Sequence, residues 1–286
     1  MTTTPTSAHA ARLEPEVVDD VITALTTDFG RRNAADGLLA NQVLLDALDG
    51  GERQRFLVWP PREPAAVLYV SSTGTLVPAG DPKGGPALAA AAEKTGWRVL
   101  VGDAPLGWAL LEGHPRGVFR RRPSAREQRL MTVSGQPPDV VAPAGFRRAT
   151  AGDVDRLTDL ACRLHVEDRM GPPISRSALP GVRSRMANSV AQGLTFVVER
   201  HAEVVAKLDL SLRSRRRGAQ IAGVYVAAGS RGQGLGGAAV ATLAGQLLRD
   251  GLPGVTLHVR ADNRPAIAAY RRAGFRDDGE WLLALR

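Results

Sequence analysis

The sequence predicts an α/β (α+β) protein with two lobes, and in the second lobe a mixed, mostly antiparallel sheet flanked by helices. Three observations support this class. Segments with apolar residues at helical spacing alternate with short strand-like apolar runs. A hairpin pattern and a strand–helix–strand crossover occur in the same half, which indicates antiparallel and parallel strand pairs in one sheet. A similar succession of elements occurs in both halves, which indicates a diverged internal duplication.

The first lobe is predicted over residues 10–134 and begins with two helices that are separated near Gly30–Asp36. Three strand-like runs follow, and breakers such as "PPREP" separate the first two. A Gly/Pro turn and an alanine-rich helix then lead to a further strand, which forms a crossover. These segments are residues 13–50 for the helices, 56–59, 65–71 and "GTLVPAGD" for the strands, "ALAAAAEKT" and "WRVLVGDA" for the crossover, and 130–133 for a last strand.

The second lobe is predicted over residues 144–286, after a linker near 134–144 rich in proline and glycine. The order of its elements is β-α-α-β-β-β-loop-α-β-α-β. The segments are a short strand at "GFRRAT", a helix through "DVDRLTDLACRLH", a helix at 176–192, a hairpin that turns at 200–203, a strand at "AQIAGVYV", a glycine loop, a helix from about Gly234 to Asp250, a strand at "VTLHVR", a helix that opens at Asn263, and a final strand pattern.

The net charge of +8 comes almost wholly from arginine, since only three of the 37 basic residues are lysines. Such an Ala/Arg/Gly-rich composition is typical of a GC-rich bacterial genome. Charge of this origin does not predict a nucleic-acid partner, but it suits acidic ligands such as phosphates. The run Arg120–Arg122 is read as a solvated face, with contact to an acidic ligand as the alternative.

The single cysteine, Cys162, excludes an intrachain disulfide and a zinc site of several thiolates. No metal is therefore expected. The opening residues lack the apolar core of a signal peptide, and no apolar run reaches 18 residues. We expect a cytoplasmic protein with no membrane partner.

The stretch "SRGQGLGG" contains four glycines between a strand and a helix. Gly232, Gly234 and Gly237 formally match a dinucleotide fingerprint, but the first acidic residue after the next strand is Asp262, roughly 30 residues on instead of about 20. A Walker A loop is excluded because no Gly-Lys-Ser/Thr follows. A tight turn is a second reading, although one or two glycines would suffice for it. The third reading is a phosphate cradle, in which backbone N–H groups converge on a diphosphate at a helix N-terminus.

Two motifs carry a family resemblance. Arg231-x-x-Gly234-x-Gly236, after the strand "GVYV" and before a long amphipathic helix, resembles the acetyl-CoA motif of the GCN5-related N-acetyltransferases (GNAT). The downstream "ADNRPAIAAYRRAGF" is similar to the second signature of that superfamily. The layout of the whole chain resembles the bacterial two-lobed type, in which a degenerate N-terminal lobe precedes a working C-terminal one.

The resemblance implies an acetyl-CoA-dependent N-acetyltransferase that transfers an acetyl group directly to an amine. It implies Tyr270 as the general acid, with core packing as the alternative role. Glu167, Asp168 and Asp209 are candidates for the general base, and a water chain is another. The residues implied to bind the cosubstrate acetyl-CoA are Tyr225, Val226, Arg231, Gly232, Gln233, Gly234, Leu235, Gly236 and Asn263.

The rival interpretation is a non-catalytic or regulatory protein that binds acyl-CoA. The acceptor is expected to be a small-molecule or peptide amine, and Trp281 either lines the acceptor cleft or packs in the core. His165 is read as a surface histidine. We also expect one CoA per chain, because "GDPKGGPAL" in the first lobe lacks the glycine loop; that lobe is then a scaffold.

Overall fold

The computed structural model describes residues 9–113, 123–136 and 140–286. The chain divides into two compact units, of which one runs to Leu130 and takes in Asp278–Arg286, and the other is Met131–Asp277. The lobes predicted over 10–134 and 144–286 assign the final strand to the second lobe, whereas most of that strand lies in the first unit. The opening segment, Arg120–Arg122 and part of the linker lie outside the described residues.

The first unit has a sheet in the order β1-β2-β3-β4-β5-β12. Its strand pairs are antiparallel except for β4 and β5, which run parallel because a helix connects them. In chain order the elements are β1 (Ala11–Arg12), α1 (Val18–Thr26), α2 (Ala34–Ala40), α3 (Gln42–Asp49), β2 (Phe56–Trp59), β3 (Ala66–Val70), β4 (Thr75–Gly80), α4 (Gly85–Ala92), β5 (Val99–Asp103), α5 (Ala104–Gly113), β6 (Ser124–Val133) and, at the end of the chain, β12 (Arg276–Leu285).

Helices cover both faces of this sheet. Successive side chains of a strand point to opposite faces, so Phe56 and Val58 pack with α1 and α3, while Leu57 packs with α4 and α5. The last strand belongs to the second of these cores through Leu282, which is fully buried with Leu100. Trp281 lies on the same strand and packs with Ala40 and Leu130. Its predicted alternative role in an acceptor cleft is therefore not supported.

The second unit contains the strand order β11-β10-β9-β8-β7. Strands β7 to β10 pair antiparallel, and β10 pairs parallel with β11 across a helical connection. The elements are β7 (Phe146–Arg148), α6 (Val154–Glu167), α7 (Leu179–Ala191), β8 (Thr195–Arg200), β9 (Glu203–Ser214), β10 (Gly218–Val226), α8 (Leu235–Arg249), β11 (Val255–Arg260) and α9 (Arg264–Arg272).

The sheet of the second unit is also covered on both faces. Leu157 of α6 packs on one face with Val197 and Tyr225. Helices α8 and α9 pack on the other, where Leu243 and Ile267 belong to the larger core cluster. Both units thus contain a run of four antiparallel strands, a strand–turn–helix crossover and a parallel strand, which agrees with the duplicated order of elements.

A capping box stabilises the turn that leads into α6. Thr150 and Asp153 form a capping box, and the Asp153 carboxylate also accepts two hydrogen bonds from the Arg147 guanidinium, at 2.7 and 2.9 Å. These hydrogen bonds, those from Arg147 first, hold the pKa of Asp153 well below its usual range. The capped start of α6 contrasts with the start of α8, described below.

Candidate functional site

The site of the second unit begins where β10 and β11 part. The two strands are paired only from Ala219 to Ile221, opposite Val255 to Leu257. Within the described residues, Ala222, Tyr225 and Val226 of β10 are paired with β9 alone. Residues 222–226 therefore present an open edge toward the end of β11, where an extended ligand can lie.

The open edge exposes the polar backbone groups of Val226. The Ala227 N–H donates to the Val205 carbonyl at 2.8 Å, which makes 227 and 205 a hydrogen-bonded pair. Hydrogen-bonded and non-bonded pairs alternate in an antiparallel ladder, so the pair Val226 and Ala206 is a non-bonded one. The N–H and C=O of Val226 consequently point away from β9, toward the opening.

A β-bulge in β10 accompanies the opening. Ala222 lies opposite Asp209 and Tyr225 opposite Lys207, so two residues of β10 face one of β9. The ammonium of the fully buried Lys207 donates to the Gly223 carbonyl at 3.0 Å and pairs with Asp209. Gly223 has a φ of +56°, and a Cβ there would lie 2.3 Å from a carboxylate oxygen of Asp209. The buried ion pair and the missing side chain together fix the bulge.

Asp209 is a poor candidate for the general base in this arrangement. Its carboxylate is bound by the Lys207 ammonium and accepts a hydrogen bond from the Thr195 hydroxyl at 3.1 Å. Proton uptake by Asp209 would leave the Lys207 charge buried without its counter-ion.

The glycine loop leads from β10 into α8, and its glycines have two different roles. Gly232 and Gly234 have φ values of +77° and +73°, and a Cβ at either would meet no atom within 4 Å. Glycine is needed there for the left-handed backbone. A Cβ at Gly236 would lie 3.2 Å from Val226, and one at Gly237 would lie 3.3 Å from Ala269. The second pair therefore allows the helix start to pack closely against β10 and α9.

No side chain caps α8. Gly234 occupies the N-cap position without a side-chain hydrogen bond, and the first helical N–H groups have no partner further back in the helix. Uncapped N–H groups at a helix N-terminus bind anions well, because the helix dipole adds to their hydrogen bonds. The space around Gly232 and Gly234 lets an anion reach them.

A cleft of about 490 Å³ joins these features. It is bounded by the end of α6, the end of β10, the glycine loop and the side of α9. The predicted site residues that line it are Tyr225, Val226, Arg231, Gly232, Gly234, Leu235, Gly236, Asn263 and Tyr270. Gln233 is not among its lining residues; it is exposed and its side chain pairs with Arg200.

Asn263 lines the cleft and also caps α9, since its side chain accepts a hydrogen bond from the Ala266 N–H at 3.2 Å. Tyr270 lies two turns further along α9. The residue is 8% exposed, and its hydroxyl has no hydrogen-bond partner among the described residues. Burial, with a smaller contribution from the negative charge of Asp168, raises the pKa of Tyr270. The hydroxyl thus stays protonated at neutral pH and can donate a proton into the cleft.

A second tyrosine in the cleft belongs to an ionic cluster. The Tyr225 hydroxyl donates to Glu167 at 2.7 Å, and the Arg231 guanidinium donates to the other carboxylate oxygen at 2.7 Å. Burial by itself would raise the pKa of Glu167, but these hydrogen bonds and the charge of Arg231 outweigh it, so the pKa lies below its ordinary value. Glu167 is therefore an ionised carboxylate within the cleft.

Sequence reasoning missed the contacts that fix the end of α6. The Arg260 guanidinium donates to the Glu167 carbonyl at 2.9 Å and forms an ion pair with Asp262. Its distance to Asp168, the other cleft carboxylate, is 3.8 Å. The signal that could have found Arg260 is its place at the end of a strand, directly before the motif that opens at Asn263. His165, in contrast, contacts the Pro172 carbonyl at 3.0 Å and does not line the cleft.

The corresponding strand–turn–helix of the first unit is closed. The Asp81 side chain accepts a hydrogen bond from the Lys83 N–H at 2.9 Å and so caps the turn. A Cβ at Gly84 would lie 3.0 Å from Trp59, and one at Gly85 would lie 2.4 Å from Ala109. A cleft of about 640 Å³ adjoins this turn, lined by α1, residues 29–31 and Gly80–Pro82. The Asp81 carboxylate makes this turn unsuitable for a diphosphate.

The described residues contain no group of three or more His, Cys, Asp or Glu side chains placed to hold a metal ion. Among the same residues, no helix is both long and apolar enough to cross a membrane.

Residues 163–275 match the model of the Acetyltransferase (GNAT) family. No curated protein sequence matches the chain. Among solved structures, a GCN5-related N-acetyltransferase from Sphaerobacter thermophilus is similar over 97% of this chain and 94% of that one, with a TM-score of 0.61 and 18% identity. A Drosophila protein gives a TM-score of 0.57 at 18% identity, over 97% of this chain and 98% of its own. A GNAT-family acetyltransferase from Colwellia psychrerythraea gives 0.55 at 12% identity, over 96% of this chain and 98% of its own.

Proposed function

We propose that the chain, whose residues 163–275 match the Acetyltransferase (GNAT) family, is an acyltransferase that transfers an acetyl group from acetyl-CoA directly to an amine. The acceptor amine is carried by a small molecule or a peptide. The observation that supports this most strongly is one cleft that joins the open edge of β10 to the uncapped start of α8. A molecule with an amide-containing arm and a diphosphate matches both parts of that cleft.

Each part of the cleft has a distinct task in this proposal. The Val226 N–H and C=O bind the amides of the pantetheine arm, and the N–H groups of residues 231–236 bind the diphosphate. A backbone N–H at the open edge also polarises the thioester carbonyl. Such a donor lowers the barrier by about 3–4 kcal/mol when it is preorganised.

The transfer removes two protons from the amine and delivers one to the thiolate. The ammonium form first gives a proton to Glu167, Asp168 or a water chain, and the neutral nitrogen then attacks the thioester carbonyl carbon, so that the new C–N bond forms and the C–S bond breaks. Tyr270 gives its hydroxyl proton to the departing thiolate, a role that its place in the cleft supports. The second proton leaves the nitrogen after the attack and returns through water to the Tyr270 oxygen.

A protein that binds acyl-CoA without catalysis is the alternative. The observation in its favour is that each candidate base already has a partner: Lys207 for Asp209, Arg231 for Glu167 and, at 3.8 Å, Arg260 for Asp168. Thiol release from acetyl-CoA in the presence of a panel of primary amines separates the two functions. Turnover with any amine supports the transferase, whereas coenzyme A binding by calorimetry without turnover across the panel supports the alternative.

Calorimetry of the same samples also tests where the cosubstrate binds. We expect one coenzyme A per chain, because the closed turn of the first unit has no uncapped N–H groups for a diphosphate. Two equivalent sites would contradict this assignment.

The cytoplasmic location stays a prediction.

A further inference from the structure

Arg231 lies across the opening that the proposed donor has to enter. Its Nε donates to the Val226 carbonyl at 2.9 Å, and its Nη2 donates to Glu167 at 2.7 Å. Its guanidinium carbon is 5.2 Å from the centre of the Tyr225 ring. All four residues line the cleft. The arginine therefore makes its contacts inside the cleft, with both the strand edge and the end of α6.

The contact of Arg231 with Val226 places the arginine in competition with an extended ligand. The Val226 carbonyl is a backbone acceptor on the open edge of β10, on the side away from β9. An extended donor whose carboxamide N–H groups continue the sheet needs an acceptor at that edge. In this structure the acceptor is already bound by Nε of Arg231, so the arginine and a carboxamide arm compete for it.

The arginine can leave at little cost. Its side chain and that of Glu167 are each 45% exposed, and ion pairs with this exposure are weak because water screens the charges and solvates the separated groups. The neighbouring glycine loop also offers the displaced guanidinium a new partner, since a diphosphate bound at the start of α8 is a dianion near Arg231. Displacement would in turn remove from Glu167 one of the partners that hold its pKa low.

On the basis of the proposed function, we infer that Arg231 is a displaceable latch. Its guanidinium occupies the Val226 carbonyl until the carboxamide N–H groups of an acyl donor replace it there. The latch has two anchors, the Val226 carbonyl and the Glu167 carboxylate. Loss of either anchor loosens it, and loss of the arginine abolishes it.

The test uses pantetheine, which carries the amides of coenzyme A without the diphosphate. Calorimetry should show that Arg231→Met binds pantetheine about 3–10-fold more tightly than the wild type, the gain expected if the latch is closed for about 70–90% of the time. Glu167→Gln should give a smaller gain, because the Val226 contact remains. The double variant should equal Arg231→Met, since the two changes act on one contact network.

Arg272→Met is the control for charge. Arg272 also lines the cleft, on α9, and its removal takes away one positive charge without touching Val226 or Glu167. It should not tighten pantetheine binding, because the contacts of Arg231 remain in place. A gain equal to that of Arg231→Met would mean that general cleft charge is responsible, and it would overturn the latch.

Coenzyme A binding to the wild type separates the two proposals. If coenzyme A binds and Arg231→Met, with an unchanged melting temperature, gains no pantetheine affinity, the latch is wrong and the proposed function stands. If the melting temperature of Arg231→Met differs from that of the wild type, Glu167→Gln is the deciding variant. It must then bind pantetheine more tightly than the wild type does. If coenzyme A does not bind to the wild type, the proposed function fails and the latch fails with it.

Discussion

The turn from β4 into α4 in the first unit and the turn from β10 into α8 in the second occupy equivalent places in the same succession of elements, and both are rich in glycine. In the first unit the glycines are required by the protein's own packing, since a Cβ at Gly85 would overlap Ala109. In the second, Gly232 and Gly234 have open space around them and a left-handed backbone. Glycine content alone therefore does not identify a ligand loop.

The turn of the first unit is capped by a side chain, and the turn of the second unit is not. Asp81 satisfies a backbone N–H of the first turn, whereas the first helical N–H groups of α8 have no side-chain cap. An uncapped helix start is destabilising unless something else satisfies it. The two turns thus share their strands and helices but differ in one aspartate, whose carboxylate occupies a backbone N–H group that an anion would otherwise need.

The largest expected effect concerns the first unit as a scaffold. A chain that stops after Asp277 lacks β12, whose residues 281–285 pair with β5 and whose Leu282 is fully buried. We expect the first unit to lose cooperative folding, because β5 then has an unpaired edge and an exposed core. Hydrogen exchange should show loss of protection in β2 to β5.

Leu282→Ala in the full chain is a smaller change to the same strand than the truncation. It should lower the free energy of unfolding by about 2–5 kcal/mol while leaving the first unit folded. Native-like protection of β2 to β5 in the truncated chain would show that β12 is dispensable.

Two buried tyrosines, one in each unit, test whether the second cleft is catalytic. Tyr69 and Tyr270 are each 8% exposed, but the Tyr69 hydroxyl donates to Glu52 at 2.6 Å while that of Tyr270 has no partner among the described residues. Tyr270→Phe should lower kcat by about 10²–10⁴-fold, because it removes the proposed proton donor. Its effect on coenzyme A affinity should be small.

Tyr69→Phe should instead cost about 1 kcal/mol of stability, the net contribution of one hydrogen bond, with kcat unchanged. Steady-state kinetics and thermal unfolding measure both variants. More than half of the wild-type kcat in Tyr270→Phe would assign that tyrosine to core packing alone.

The two glycine turns can be compared directly by substitution. Gly234→Val should weaken coenzyme A binding by about 10–100-fold, equivalent to losing one charge-assisted hydrogen bond from a backbone that is no longer accessible. Gly85→Ala should leave that affinity unchanged and lower stability by about 1–3 kcal/mol, because its Cβ overlaps Ala109. Calorimetry and chemical unfolding measure the two effects. Equal losses of affinity in both variants would contradict the different roles of the turns.

The smallest effect concerns the capped start of α6, the counterpart of the uncapped start of α8. The pKa of Asp153 is lower in the folded chain than its usual value near 3.9, so the ionised form stabilises the fold. Its contribution is complete above that pH and is lost as the pH falls through the lower folded value. Asp153→Asn should therefore cost about 1–2 kcal/mol near neutral pH and progressively less in acid.

Urea unfolding of wild type and variant between pH 2 and pH 7 gives the difference at each pH. Arg147→Met is the control, since it removes the partner that makes the largest contribution to the low pKa. A difference between wild type and Asp153→Asn that does not change with pH would mean that the charge of Asp153 has no part in the cap.

Most of the secondary structure follows from apolar spacing. The apolar run Phe56–Trp59 and the single apolar stripe of α8 both predicted elements that the structure contains. Helix α5 was missed because it begins at Ala104 without a turn after β5 and is apolar on most sides. The second predicted helix is two, α2 and α3, which meet at Asn41.

The cleft was predictable where backbone conformation demands a residue type. The glycines at 232 and 234 and the capping Asn263 carry such a signal. The Lys207 ion pair and the contacts of Arg231 carry none, because they depend on a bulge and on which strands are neighbours. The sequence likewise could not predict that β12 pairs with β5, because its apolar pattern fits either sheet.

The position of β12 has a consequence for how the protein is made. Residues up to Leu130 leave the ribosome first, yet the sheet they form is completed by Asp278–Arg286. All of Met131–Asp277 must therefore be synthesised before the earlier unit can close its core, and such distant pairing slows folding. During that interval the unpaired edge of β5 can bind chaperones or other nascent chains. A stop codon before Asp278 or a bulky insertion within Asp278–Arg286 would accordingly damage the half of the protein that is translated first.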